Sequence, residues 1–109
     1  THGTSTPAGD ISEPDAMSEL FGSAVPSLSS SKSLCGHSLA AAVVQAAIHC
    51  LLMMENNFMA GSVNITKLEP KAEGLPVLRE TVAAPDLNTI MSNNFGCGGT
   101  NACIVFQRY

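Results

Sequence analysis

The stretch SLAAAVVQAAIHCLLMME, residues 38–55, limits what this chain can become more than any other. Between Leu39 and Met54 only Gln45 and His49 are polar. The run is too short and too interrupted to read as a membrane span of about 20 residues. A helix apolar on nearly every side has to be covered on nearly every side. It needs a sheet against one face and more protein against the other. A chain of 109 residues makes at most one ordinary domain with one core, and can hardly supply both. Charged residues amount to 13%, well under the roughly 25% usual in soluble domains. The expectation is an α/β layered unit, lacking its first strand and incomplete without upstream residues.

Composition excludes several function classes. A net charge of -4 with five Lys and Arg leaves no basic stripe for phosphates, so no nucleic-acid partner is expected. Trp is absent, which removes the best platform for stacking bases. The cysteines at 35, 50, 97 and 103 contain no CxxC pair, so zinc-site spacing is missing and no metal is expected. A reduced, cytoplasmic setting and no membrane association fit these features best, although the even cysteine count permits disulfides.

Along the chain, SEPDAMSELFG (12–22) reads as a short helix. Ser12 is its expected N-cap, Pro14 falls in its first turn and Gly22 suits its end. A turn and a short strand follow over 23–31. After the long helix, extended segments are expected around Val63–Ile65 and over VLRETV (77–82), NTIMSNNF (88–95) and NACIVFQRY (101–109).

Three stretches invite chemistry. FGCGGTN (95–101) has the glycines of a nucleotide loop, but ACIVF after it reads as a strand. A dinucleotide fingerprint needs a helix there to receive the pyrophosphate. The glycines instead suggest a tight strand-to-strand turn through which backbone N–H groups approach a ligand. SKSLCGHSLAAA (31–42) sets Lys32 and His37 just before the long helix. The positive end of the helix dipole favours a neutral imidazole there, able to donate one hydrogen bond. His49, on the apolar helix, reads as a packed histidine with a hydrogen-bonding partner. The third stretch is HGTSTPAGD (2–10), a turn-rich loop with no element before it.

Taken in order, HGTSTPAGD, SKSLCGHSLAAA and SNNFGCGGTNA (92–102) resemble three motifs of the β-ketoacyl-acyl carrier protein synthases, most closely the elongating bacterial fatty-acid type. The resemblance runs over essentially the whole chain. It implies that residues 1–109 are the C-terminal portion of a ketosynthase domain, within the C-terminal half of a thiolase-like layered fold, with helices packed on a mixed sheet. It implies a decarboxylative Claisen condensation of an acyl thioester with malonyl-carrier protein in fatty-acid or polyketide chain elongation. The nucleophilic cysteine of that family lies upstream, and none of the four cysteines here stands in such a motif. By matching motifs, His2 and His37 would stabilise the enolate and Lys32 would order them. Thr4 and Thr6 would hold the phosphopantetheine arm. Phe95, Cys97 and Gly98 would line the acyl site, with the N–H of residue 97 in an oxyanion hole. The implied partners are acyl carrier protein, the N-terminal ketosynthase half and a second copy in a homodimer. No cofactor is implied beyond the carrier's phosphopantetheine.

Three positions depart from the family pattern. Ala46 replaces a glutamate of the long helix, leaving Lys32 without its usual carboxylate partner. Cys97 replaces an aromatic gate of the acyl pocket. Ala40 and Val43 stand where glycines are common. Two other readings stay open: a non-catalytic ketosynthase-like subunit that shapes a partner's acyl tunnel, and a small module binding an acyl group or carrier protein.

Overall fold

The Thr6–Pro7 pair starts the first helix. A computed structural model describes residues 1–109, and in it α1 spans Pro7–Phe21. Thr6 is extended and its hydroxyl accepts the Gly9 N–H at 3.2 Å. Pro7 then enters the first turn, where a missing N–H costs nothing. The helix therefore begins before Ser12, and Pro14 lies in its interior rather than its first turn. There Pro14 has no N–H to offer the carbonyl four residues back. Glu13 and Met17, one turn apart, are the buried residues of α1. Gly22 closes it with φ 57° and an N–H on the Ser18 carbonyl.

The strand expected over 23–31 shrinks to one parallel bridge, Leu28 with Val77. Residues Gly22–Ala24 are taken up in a 3-10 turn, and Pro26 has no N–H to give a ladder. One helical turn follows, α2 over Lys32–Cys35, ended by Gly36 at φ 73°. A 3-10 turn at Leu39–Ala41 leads into α3, Ala42–Asn56. Asn57, left-handed at φ 55°, caps α3 through its N–H.

By length and composition alone, Leu39–Asn56 does reach what a membrane crossing requires, at mean hydropathy 1.4. Its contacts are nevertheless those of a layered domain. Ala42, Cys50 and Met54 are buried, and the helix packs on the last two strands and on the strand that follows it. Its other side is bare: Leu39 is 77% exposed and Val44 61%, with Ile48, Leu51 and Leu52 also exposed. The covering that the sequence calls for is present on one face only.

Strand β1 (Phe58–Met59) pairs antiparallel with β2 (Val82–Ala83). The segment 63–65 contributes no strand, and of 77–82 only the bridge at Val77 and the start of β2 are paired. The best-formed sheet is the hairpin of β3 (Thr89–Phe95) and β4 (Asn101–Gln107), in register from Thr89 opposite Gln107 to Phe95 opposite Asn101. Its turn is tight: Gly96 N–H reaches the Thr100 carbonyl at 2.7 Å, and Gly98 and Gly99 take φ near 86° and 85°. Such values favour glycine because it has no Cβ to clash.

Gly61 allows a close crossing of two chain segments. A Cβ built there would lie 2.5 Å from the Glu80 carbonyl carbon and 2.6 Å from the Glu80 nitrogen, both backbone atoms that cannot swing away. Gly61→Ala is therefore expected to destabilise the protein by about 1–3 kcal/mol, as overpacking does. Chemical denaturation with an unchanged midpoint would contradict this close approach.

Candidate active site

Folding brings His2 against Phe95 at the end of β3 and sets His37 beside it. The two imidazoles meet edge to face, with ring centroids 5.7 Å apart and planes at 89°. The Phe95 ring lies 5.5 Å from that of His2, tilted at 54°. The backbone N–H of Phe95 donates to His2 Nδ1 at 3.2 Å. A nitrogen that accepts a hydrogen bond carries no proton, so the proton of the neutral ring sits on Nε2. The ring has one fixed donor.

The charge state points the same way. Burial first, and then the Lys32 ammonium, hold His2 below the usual histidine value, with His37 adding a smaller push and Glu13 opposing. His2 is therefore a neutral donor across the neutral pH range.

Glu13 holds the loop itself. Its carboxylate accepts the His2 N–H at 3.0 Å on Oε1 and the Gly3 N–H at 3.1 Å on Oε2. The Asn93 amide, from β3, donates to the same Oε1 at 3.4 Å. Sequence reasoning passed over Glu13. The signal was present, because it stands three and four residues before Ala16 and Met17, on the apolar side of α1. An acid on the inward face of a helix has to be answered by donors.

Lys32 is half-buried in the one-turn α2. Burial pushes its ammonium below the usual lysine value, and the Glu13 carboxylate opposes that shift. Lys32 makes no ion pair: the one in the chain joins Lys71 to Asp15 at 3.5 Å. Glu13 is the acid whose charge acts on Lys32, through space rather than by contact.

The remaining candidates separate. Thr4 lines a polar cleft of about 560 Å³ together with Glu13, Lys32, His37, Asn64 and Lys67. Thr6 is spent as the cap of α1, though its own hydroxyl proton is still free to donate. Cys97 and Gly98 are exposed in the hairpin turn beyond Phe95 and bond to neither histidine. Ser5 and Leu39, close after the two histidines, both sit in the left-handed region at φ 57° and 54°. Non-glycine residues held there store strain, which gathers at functional sites. All four cysteines are free, and burial pushes the Cys50 thiol up, away from a nucleophile's ionised form. No cluster of three or more His, Cys, Asp or Glu side chains is placed to hold a metal.

Comparison with known proteins explains this arrangement. Residues 1–66 match the model of the beta-ketoacyl synthase C-terminal domain. The chain belongs to the beta-ketoacyl synthase family. It is 51% identical over 108 residues to 3-oxoacyl-[acyl-carrier-protein] synthase 1 of Haemophilus influenzae and 50% identical to that of Escherichia coli K12. It spans 27% and 26% of those two proteins and 99% of itself. Among solved structures it is similar to the ishigamide ketosynthase/chain length factor, with TM-score 0.92 and 32% identity over 99% of this chain and 27% of that one. A beta-ketoacyl synthase from Burkholderia phymatum gives TM-score 0.78 and 34% identity over the whole chain. The layered α/β architecture is thus that of the C-terminal part of a ketosynthase. The family match takes in His2, Lys32 and His37, whereas the glycine turn lies beyond residue 66.

The electrostatics make a prediction about His2. In a ¹⁵N NMR titration it should stay neutral, with a bare Nδ1, to below the ordinary histidine range, and Lys32→Ala should raise its pKa. Because the folded value is lowered, an unfolded chain takes up the proton first. The stability linked to neutral His2 is full above the ordinary value of about pH 6.5 and is lost as pH falls from there through the lower folded value. A His2 titrating at or above the ordinary value would contradict the site as described.

Proposed function

We propose that this chain acts as the C-terminal part of a β-ketoacyl-acyl carrier protein synthase, in which His2 and His37 stabilise an enolate formed by decarboxylation. One observation carries the reading: the Phe95 N–H on His2 Nδ1 leaves Nε2–H as a fixed, uncharged donor beside His37. A malonyl thioester loses carbon dioxide, and the electron pair of the broken C–C bond passes to the thioester oxygen. Preorganised donors at that oxygen stabilise charge that exists only after the bond begins to break. The enolate carbon then attacks an acyl thioester on a cysteine outside these 109 residues, and the cysteine thiolate leaves. Being neutral, His2 contributes a donor without a countercharge to neutralise.

In the same reading Lys32 orders the pair, Thr4 and Thr6 meet the phosphopantetheine arm, and the Cys97 N–H serves the acyl oxyanion beside Phe95 and Gly98. The partners are acyl carrier protein, the N-terminal ketosynthase half and a second copy, in the cytoplasm, with no resident cofactor. A solved relative with TM-score 0.92 is described as a type II PKS acyl-carrier protein in complex with its ketosynthase bound to the hexaketide, which supports the carrier as partner.

In the full-length protein, His2→Ala or His37→Ala should slow malonyl-thioester decarboxylation about 100- to 1,000-fold while acylation of the cysteine persists. Two variants with wild-type rates would overturn the assignment. A competing reading, a non-catalytic ketosynthase-like subunit, is motivated by Ala46 and Cys97. A full-length protein that never decarboxylates, with both histidines intact, decides for it.

Cys97 generates a separate expectation. A thiol is much smaller than an aromatic ring and cannot close a tunnel by one bond rotation, while its backbone N–H is unaltered. Acyl-chain admission should therefore be loose and the chemistry intact. Cys97→Phe is expected to sharpen discrimination between acyl lengths at an unchanged rate with the preferred acyl group. An unchanged acyl profile would show that Cys97 only packs, with Phe95 as neighbour.

A further inference from the structure

We infer that His49 is a positioning residue: acting through Ser31, it sets the geometry of the segment that carries Lys32 and His37. The inference rests on the proposed role of that segment. It begins with the weakness of α2. A four-residue helix fixes backbone dihedrals for very few hydrogen bonds and has no stability of its own. It also lacks a side-chain cap. What holds it is the Ser31 carbonyl, which accepts the Leu34 N–H at 3.0 Å, the Cys35 N–H at 3.1 Å and the Cys35 thiol at 3.2 Å. Gly36, left-handed and bonded to the Lys32 carbonyl at 2.9 Å, then turns the chain into His37. Wherever Ser31 sits, Lys32 and His37 follow.

Ser31 is itself held from outside. Its hydroxyl lies 3.0 Å from His49 Nδ1, on α3. The bond tolerates either proton arrangement: the hydroxyl donates to a bare Nδ1, or an Nδ1–H donates to the hydroxyl oxygen. The pair borders a largely apolar cavity of about 510 Å³, along with Leu34, Cys35, Ala46 and Cys50. Low local polarity strengthens such a bond. Ala46, one turn earlier, has no polar side-chain atom to offer, so the tie falls to His49. A second tie, between Ser38 and Gln45, lies on the far side of His37.

These contacts close a ring. His2 bonds to Phe95 at the end of β3, β3 packs on α3, α3 reaches Ser31 through His49, and Ser31 fixes the turn leading to His37. His37 returns to His2 edge to face. The neighbouring Ser30 ties the same segment to the His2 loop, its hydroxyl donating to the Gly3 carbonyl at 3.0 Å. Like Ser31, His49 touches neither histidine of the site, so its effect on chemistry can arise only through placement.

The test uses the full-length protein and malonyl-thioester decarboxylation. His49→Leu fills a similar volume without the bond, whereas His49→Asn retains a polar atom close to the position of Nδ1. His49→Leu should lower kcat roughly 10- to 100-fold, as a misplacement of about 1 Å does, with little change in KM. His49→Asn should restore most of the rate. Adding Ser31→Ala to His49→Leu removes the stranded hydroxyl, so thermal stability should return while the rate stays low. A purely structural role would show the reverse, with rate recovering alongside stability, and would overturn the inference. So would a wild-type kcat in His49→Leu when His37→Ala, run beside it, is inactive. If His37→Ala is itself fully active, the site assignment fails first and this inference falls with it.

Discussion

Everything around the site depends on one carboxylate. Glu13 takes the N–H groups of His2 and Gly3, one on each oxygen, and a third donor from Asn93. Without a negative group there, two successive backbone donors in a half-buried loop would be left without partners, at a cost of a few kcal/mol. The carboxylate therefore joins three pieces of chain that are far apart in sequence: the N-terminal loop, α1 and β3. It also sets the field in which Lys32 and His2 titrate, opposing the downward shift of each. A single buried acid does the work of a local scaffold and of a local counter-ion.

Around that anchor, the fold is economical in an uneven way. Strand β3 and helix α3 form the firm part, with Cys50, Met54, Ser92 and Asn94 buried. The segments bearing Lys32 and His37 are short turns that borrow their rigidity from it. Catalytic groups on loops positioned by a firmer frame are a common solution, because loops can present side chains that helices and strands would point elsewhere. Here the frame works through side-chain hydrogen bonds to serines. That explains why the run SSSKS carries so many hydroxyls: Ser30, Ser31 and Ser33 each bond to another part of the chain or cap a turn.

The bare side of α3 follows from the same unevenness. Its alanines and large aliphatics suit a helix covered from both sides, and the β-hairpin covers one. The chain spans about 27% of the curated relatives it matches. In the proposed enzyme the outward residues Val44, Ile48, Leu51 and Leu52 would meet the rest of the ketosynthase. A surface of that kind in water is an interface or a liability.

Much could be read from residue order alone. The apolar run determined α3, alternation and glycines determined the β3–β4 hairpin, and three motifs in order pointed to the family and to His2, Lys32 and His37. These are local patterns, set by helical and strand periodicity and by turn chemistry. Local rules also misled at α1, where Ser12 offered a plausible cap and Thr6–Pro7 a better one. What tertiary structure alone decided is which groups meet. The Phe95 N–H that fixes the proton of His2 comes from 93 residues away. The carboxylate that answers Lys32 is Glu13 and not a neighbour on α3. The partner expected for His49 proves to be the Ser31 hydroxyl, 18 residues away. Such pairings depend on how packed elements approach one another in space, and spacing along a chain does not encode that distance.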